Sequence, residues 1–304
     1  MPERRKKRKK RSASKQSGVS LFVIVILLFS AALLIVKGSG FNKPIPDVVE
    51  IPKEVQESIK NVKPQKYLRV PILLYHYVEY VKDPKDTIRK SLNLEPHAFD
   101  LEVKTLQEAG YSFITLADLA DGLDDKRTLP AKSVILTFDD GYRDFYTDVF
   151  PILKKYQIKA VVFVIPNFID RPDNLTTWMI SEIIKSGLVE IGAHTMNHTY
   201  LRGLSLNQVR YEIEQSKSYL EKSFGIQVIS FAYPYGAFDN GAIDEVKKAG
   251  FRTAVTTIPG TFSMDVNRFF LYRVRPGGRV GPDLLELLER TKVTSIPKNE
   301  NILS

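Results

Sequence analysis

The sequence predicts an α/β protein, a distorted (β/α) barrel of seven to eight strands with an N-terminal transmembrane helix. Short apolar runs recur at 70–75, 112–115, 134–138, 160–165, 188–193, 228–232, 253–256 and 269–274, each the length of a buried strand. Helical patterns fill most of the intervals, and strands alternating with helices build parallel sheet covered by helices. Ahead of all of them stands an uncharged stretch, Val19 to Val36.

The N-terminus explains the charge. Residues 1–17 are a basic tail: nine of the chain's 44 lysines and arginines lie before residue 16, against the single acid Glu3. The remainder holds 35 basic and 34 acidic side chains, so the net charge of +9 belongs to the tail and the folded part is nearly neutral. That distribution argues against nucleic acid as a partner. Residues 19–36, as a helix, reach about 27 Å, close to the hydrocarbon thickness of a bilayer. Lys15 and Lys37 can snorkel at its ends, and the span is read as 18–37. Basic residues before a first span hold that end in the cytoplasm. The expectation is a single-pass protein of the cell membrane whose bulk lies outside. A cleavable signal peptide is the competing reading, with Ser30-Ala31-Ala32 as its weak cleavage site. The chain has no cysteine, which excludes disulfides and thiolate metal sites.

Residues 38–67 carry Pro44, Pro46, Pro52 and Pro64 among charged residues and read as a linker with a short helix at 54–61. The regular pattern, and with it the main domain, runs over 68–290, followed by a tail at 291–304. The helix at 99–109 places Phe99, Val103 and Leu106 on one face and stops at Gly110. The helix Leu206–Phe224 opens on a Ser205/Gln208 capping box and ends at Gly225. Its apolar stripe is Leu206, Val209, Ile213, Leu220 and Phe224. A third helix, 240–249, stops at Gly250. Trp178, at a helix start, is expected to pack in the core.

Chemistry concentrates where strands end. Asp139-Asp140-Gly141 follows the run at 134–138, and His194-Thr195-Met196-Asn197-His198 follows the run at 188–193. Strand ends of such a barrel share one rim. One carboxylate and two imidazoles suffice to hold a divalent metal with open positions, which leaves the other carboxylate free to move protons. Adjacent residues leaving a strand point in different directions, and the sequence alone leaves open which aspartate does which. His76 ends the first apolar run and belongs to the same rim. Phe231-Ala232-Tyr233-Pro234-Tyr235-Gly236 forms a tight loop whose N–H groups can face a developing oxyanion.

These three motifs, in this order, resemble the polysaccharide deacetylase family, the carbohydrate esterases named for the NodB homology domain; the resemblance covers about 68–290. It implies a distorted (β/α) barrel and hydrolysis of the acetamide of N-acetylglucosamine units in an extracellular or cell-wall glycan. Carried over residue by residue, it implies Asp139 as general base and Asp140, His194 and His198 as metal ligands. Tyr235 becomes the source of the oxyanion N–H. The implied cofactor is a divalent metal, Zn²⁺ first, with Co²⁺, Ni²⁺, Mn²⁺ or Fe²⁺ as substitutes. The chain departs from the family twice. Ala232 stands where the family carries the arginine that pairs with the base, and Arg273 or Arg275 is the candidate replacement. No histidine follows His198, so the general acid falls to His76, as in the subgroup that includes the poly-N-acetylglucosamine deacetylases. Two other classes are carried alongside. Two histidines and a carboxylate also describe non-haem iron oxygenases, and Ala232 is compatible with a non-catalytic glycan-binding protein on the same fold.

Overall fold

A computed structural model of the chain describes residues 50–289 other than Pro84. The basic tail, the expected span at 18–37 and the tail at 291–304 lie outside the described residues. Among the described residues no helix is long and apolar enough to cross a membrane.

The apolar runs form seven parallel strands: β1 (Ile72–Tyr75), β2 (Ser133–Phe138), β3 (Ala160–Val164), β4 (Val189–Ala193), β5 (Ser230–Ala232), β6 (Thr253–Pro259) and β7 (Leu271–Arg273). They lie side by side in chain order. The ring closes just past β7, where Leu74 N–H donates to Val274 O and Val274 N–H to Ile72 O, both at 2.8 Å. The run expected at 112–115 is a two-residue strand, Ser112–Phe113, paired with the first residues of β2.

Alternation along each strand splits the side chains into two layers. Ile72, Ile135, Val161, Phe163, Val255 and Leu271 pack together inside the ring, over the short helix Leu116–Leu123 that plugs its base. Leu73, Leu136, Val162, Ile191 and Phe231 face outward into the larger core beneath the helices. Gly192 makes the inner layer possible. A Cβ there would sit 2.4 Å from the Phe163 ring, so only glycine lets that ring fill the barrel.

The helix Leu206–Phe224 has the bounds the sequence implies, with Gln208 Oε1 accepting from Ser205 N–H at 3.2 Å and Gly225 in the left-handed region. Its inner face differs from the expected stripe. Leu206 is exposed, while Glu212 and Ser216 are buried beside Val209, Ile213 and Leu220.

Two expectations are corrected. The linker read over 38–67 ends earlier, because Ile51, just ahead of the helix Lys53–Ile59, and Val55 within it are buried in the main core. Tyr67–Leu68 then pairs antiparallel with Ser263–Met264, so these residues belong to the folded unit. Trp178 does not pack in the core; it is 60 % exposed. Its helix Thr177–Lys185 buries Ile180 and Ile183, which turns position 178 outward, edge-on to Tyr146.

Candidate active site

Strand β2 runs out at Phe138, and Asp139 keeps its register, its N–H donating to Tyr75 O at 3.0 Å. Its carboxylate therefore follows Ile135 and Thr137 into the barrel. Asp140 leaves the strand through the left-handed region (φ 71°), followed by Gly141 (φ 62°). That reversal separates two adjacent carboxylates into different environments.

Asp139 is buried and meets Arg273 of β7. Nη1 reaches Oδ1 and Nη2 reaches Oδ2, each at 2.7 Å. The guanidinium is itself fixed by Nε to Thr256 O at 2.7 Å and Nη1 to Thr137 Oγ1 at 3.1 Å. Burial pushes the Asp139 carboxyl up, but Arg273 outweighs burial and holds it below the ordinary carboxylate range. Of the two arginines left open by the sequence, Arg273 makes the pair; Arg275 is exposed.

Asp140, His194 and His198 converge, their ligand atoms all within 4.8 Å of one another. Asp140 Oδ1 lies 3.3 Å from His194 Nε2 and 3.1 Å from His198 Nε2. His194 Nδ1 contacts Ala232 O at 2.7 Å, which requires the proton on Nδ1 and turns the Nε2 lone pair toward Asp140. Asp140 Oδ1 is buried and makes no hydrogen bond. Lone pairs facing one another in a buried cluster fit a divalent cation, and a carbonyl on the far ring nitrogen is the usual outer support of a ligating histidine.

His76, directly after β1, shares the rim. Burial lowers its pKa to about 4, against the upward pull of Asp139 and Asp140. Tyr235 sits in the turn Pro234–Gly236 with φ 60° and ψ 8°, its ring 4.6 Å from that of His198. Asp140, Thr195, His198 and Tyr235 are four of the seven non-glycine residues with positive φ among those described. Backbone in that region is held only where its surroundings over-determine it.

Two supports escaped the sequence. Asn174 is buried and donates through Nδ2 to Asp140 O at 3.2 Å and Gly141 O at 3.4 Å. Glu212 reaches the His194–His198 loop from the helix Leu206–Phe224. Neither carries a local signal beyond a polar residue on a face or loop that has no need of one.

Known proteins resemble this chain in sequence and in fold. The family model of the polysaccharide deacetylases matches residues 126–254. The Bacillus subtilis protein YxkH, whose name places it among polysaccharide deacetylases, is 32 % identical over 77 % of this chain and 80 % of its own length. The chain belongs to the polysaccharide deacetylases. The solved structure of the Streptococcus pyogenes deacetylase PplD, in complex with acetate, is similar to this deacetylase with a TM-score of 0.68 and 31 % identity. That similarity covers 75 % of this chain and all of PplD. The poly-β-1,6-N-acetyl-D-glucosamine N-deacetylase of Escherichia coli is 26 % identical over 66 % of this chain. The match spans only 36 % of that relative's length.

Proposed function

We propose that this polysaccharide deacetylase is a metal-dependent N-deacetylase of N-acetylglucosamine-containing glycan, tethered to the outer face of the cell membrane. The observation that carries it is the pairing of two differently used carboxylates: Asp140 turned to two imidazoles, Asp139 turned to Arg273. The name of the Escherichia coli relative supports N-acetylglucosamine as the substrate unit. The uncharged residues 19–36 behind a basic tail support the tether.

Asp140, His194 and His198 would hold the ion, Zn²⁺ first by its donor set. A bound divalent ion supplies Lewis acidity toward the acetamide carbonyl and lowers the pKa of water. Asp139, kept ionised by Arg273, takes the proton of the attacking water. The Tyr235 N–H faces the carbonyl oxygen as negative charge develops on it. His76 protonates the departing nitrogen. Since its pKa is held down to about 4, the ring is neutral at pH 7 and receives its proton within the cycle, from the one Asp139 gains. The C–N bond breaks, acetate leaves, and the glycan keeps an amine.

Arg273 bears on the alternative of a non-catalytic glycan binder. That reading rested on the missing arginine at Ala232, and Arg273 supplies the cation at Asp139. The test is acetate release from β-1,6-linked and β-1,4-linked N-acetylglucosamine oligomers by the purified chain. Asp139→Asn is expected to abolish it; turnover retained in that variant would overturn the base assignment.

A further inference from the structure

We propose that Glu212 is the positioning residue of the His194–His198 loop, its carboxylate filling the concave backbone that sets both imidazoles toward Asp140. Oε2 accepts from Met196 N–H at 2.9 Å and Asn197 N–H at 3.0 Å, and Oε1 from Asn197 Nδ2 at 2.8 Å. Two successive N–H groups converging on one anion form a nest, which requires the chain to change hand nearby. Thr195 and His198, on either side of the two donors, both have φ 58°. Thr199 N–H donates back to Thr195 Oγ1 at 3.0 Å and closes the loop.

The chemistry of Glu212 argues for a dedicated task. It is 7 % exposed, and no lysine or arginine pairs with it among the described residues. A buried carboxylate without a cation is expensive unless its lone pairs are filled, and here the loop fills them. The donors lie between the two histidines in sequence, so the carboxylate fixes the backbone that carries both rings. The loop is also held from the other side, by Asn167 N–H to Met196 O at 3.2 Å and Asn167 Nδ2 to Asn197 Oδ1 at 2.5 Å. Glu212 thus converts the position of a surface helix into the convergence of two ligand atoms.

The inference rests on the reading of Asp140, His194 and His198 as a metal site, and its test separates the two. Co²⁺ is titrated into chelator-stripped full-length protein, and its affinity and visible absorption are measured alongside the thermal midpoint. Failure of the wild type to bind Co²⁺ would overturn the metal reading, and with it this inference. Given binding, Glu212→Ala is expected to weaken Co²⁺ affinity about 10- to 100-fold, as outer supports of ligating residues do. Glu212→Gln keeps an acceptor for the two N–H groups once the Asn197 amide turns over, and is expected to restore affinity to within about fivefold of wild type. Equal affinity in Glu212→Ala and wild type overturns the proposal, as does equal loss in the Ala and Gln variants. Should Glu212→Ala fail to fold, Glu212→Asp carries the test. It keeps the charge but withdraws the acceptor by one methylene, and an affinity unchanged from wild type overturns the proposal equally.

Discussion

Arg273 and Asp139 face each other inside the barrel as a two-pronged ion pair, with both N–O distances 2.7 Å. The pair joins the end of β2 to the last barrel strand. It also explains how a deacetylase tolerates alanine at position 232, since a cation reaches the same carboxylate from β7.

Removing that cation strands a buried charge. Arg273→Met is expected to lower stability by about 3–5 kcal/mol, the usual cost of breaking one side of a buried pair. The depressed Asp139 pKa contributes stability that is present above the unfolded value and lost as pH falls through the folded one. In Arg273→Met that contribution disappears and the Asp139 pKa rises. The acid limb of the kcat/KM profile should move to higher pH, and urea melts at pH 7 should show the loss.

Metal removal should act on the cluster as a unit. Chelation is expected to abolish acetate release, and added Zn²⁺ to restore it. Asp140→Ala should hold less than one equivalent of metal by elemental analysis and stay inactive after Zn²⁺ is added. Full activity in the chelated protein would contradict the assignment.

Glu102 gives the fold a pH dependence of its own. It is buried, accepts from Tyr75 Oη at 2.8 Å and Gly278 N–H at 2.7 Å, and burial raises its pKa to about 7. A raised carboxyl binds its proton more tightly in the folded state. Its contribution is complete below the unfolded pKa and is lost as pH rises through about 7. Denaturant midpoints should therefore fall between pH 5 and pH 8 and fall less in Glu102→Gln. Asp144, also raised to about 7 by burial, adds to the same slope.

The turn beside His198 tests backbone shape. Gly236 has φ 68°, and a Cβ there would meet Thr257 Oγ1 at 2.2 Å and its N at 2.9 Å. Gly236→Ala should displace Tyr235 and reduce kcat more than KM, at a stability cost of about 1–3 kcal/mol. Unchanged kcat would remove Tyr235 from the mechanism.

Trp178→Ala should leave stability within about 0.5 kcal/mol of wild type, because the ring is exposed and surface substitutions cost little. A thermal melt checks it.

Much of this site was legible because its pieces are local. Asp139-Asp140 and His194 to His198 each follow an apolar run directly, so strand ends and chemistry could be read together. The order of β1 to β7 followed from strand–helix alternation. What escaped depends on contacts across the chain. The choice between Arg273 and Arg275 is one such: Arg273 lies 134 residues from Asp139, and only ring closure brings β7 to β2. Glu212 lies within a helical pattern whose apolar neighbours define a face; its place on that face shows only once Leu206 is seen to turn outward. Trp178 was misjudged for a related reason, since its bulk suggested burial while Ile180 and Ile183 decide which way the helix faces.

Ring closure at Val274 also fixes when the site can come into being. Strand β7 brings both the last edge of the sheet and the guanidinium that Asp139 requires. A nascent chain that has emerged as far as His198 contains every proposed metal ligand, but Ala232 O and Glu212, which orient that loop, and Arg273, which pairs with Asp139, are still to come, and its sheet stays open. Closing a loop of this length is slow compared with forming a hairpin. A chain truncated before Leu271 should therefore release no acetate, although Asp140, His194 and His198 are all present in it.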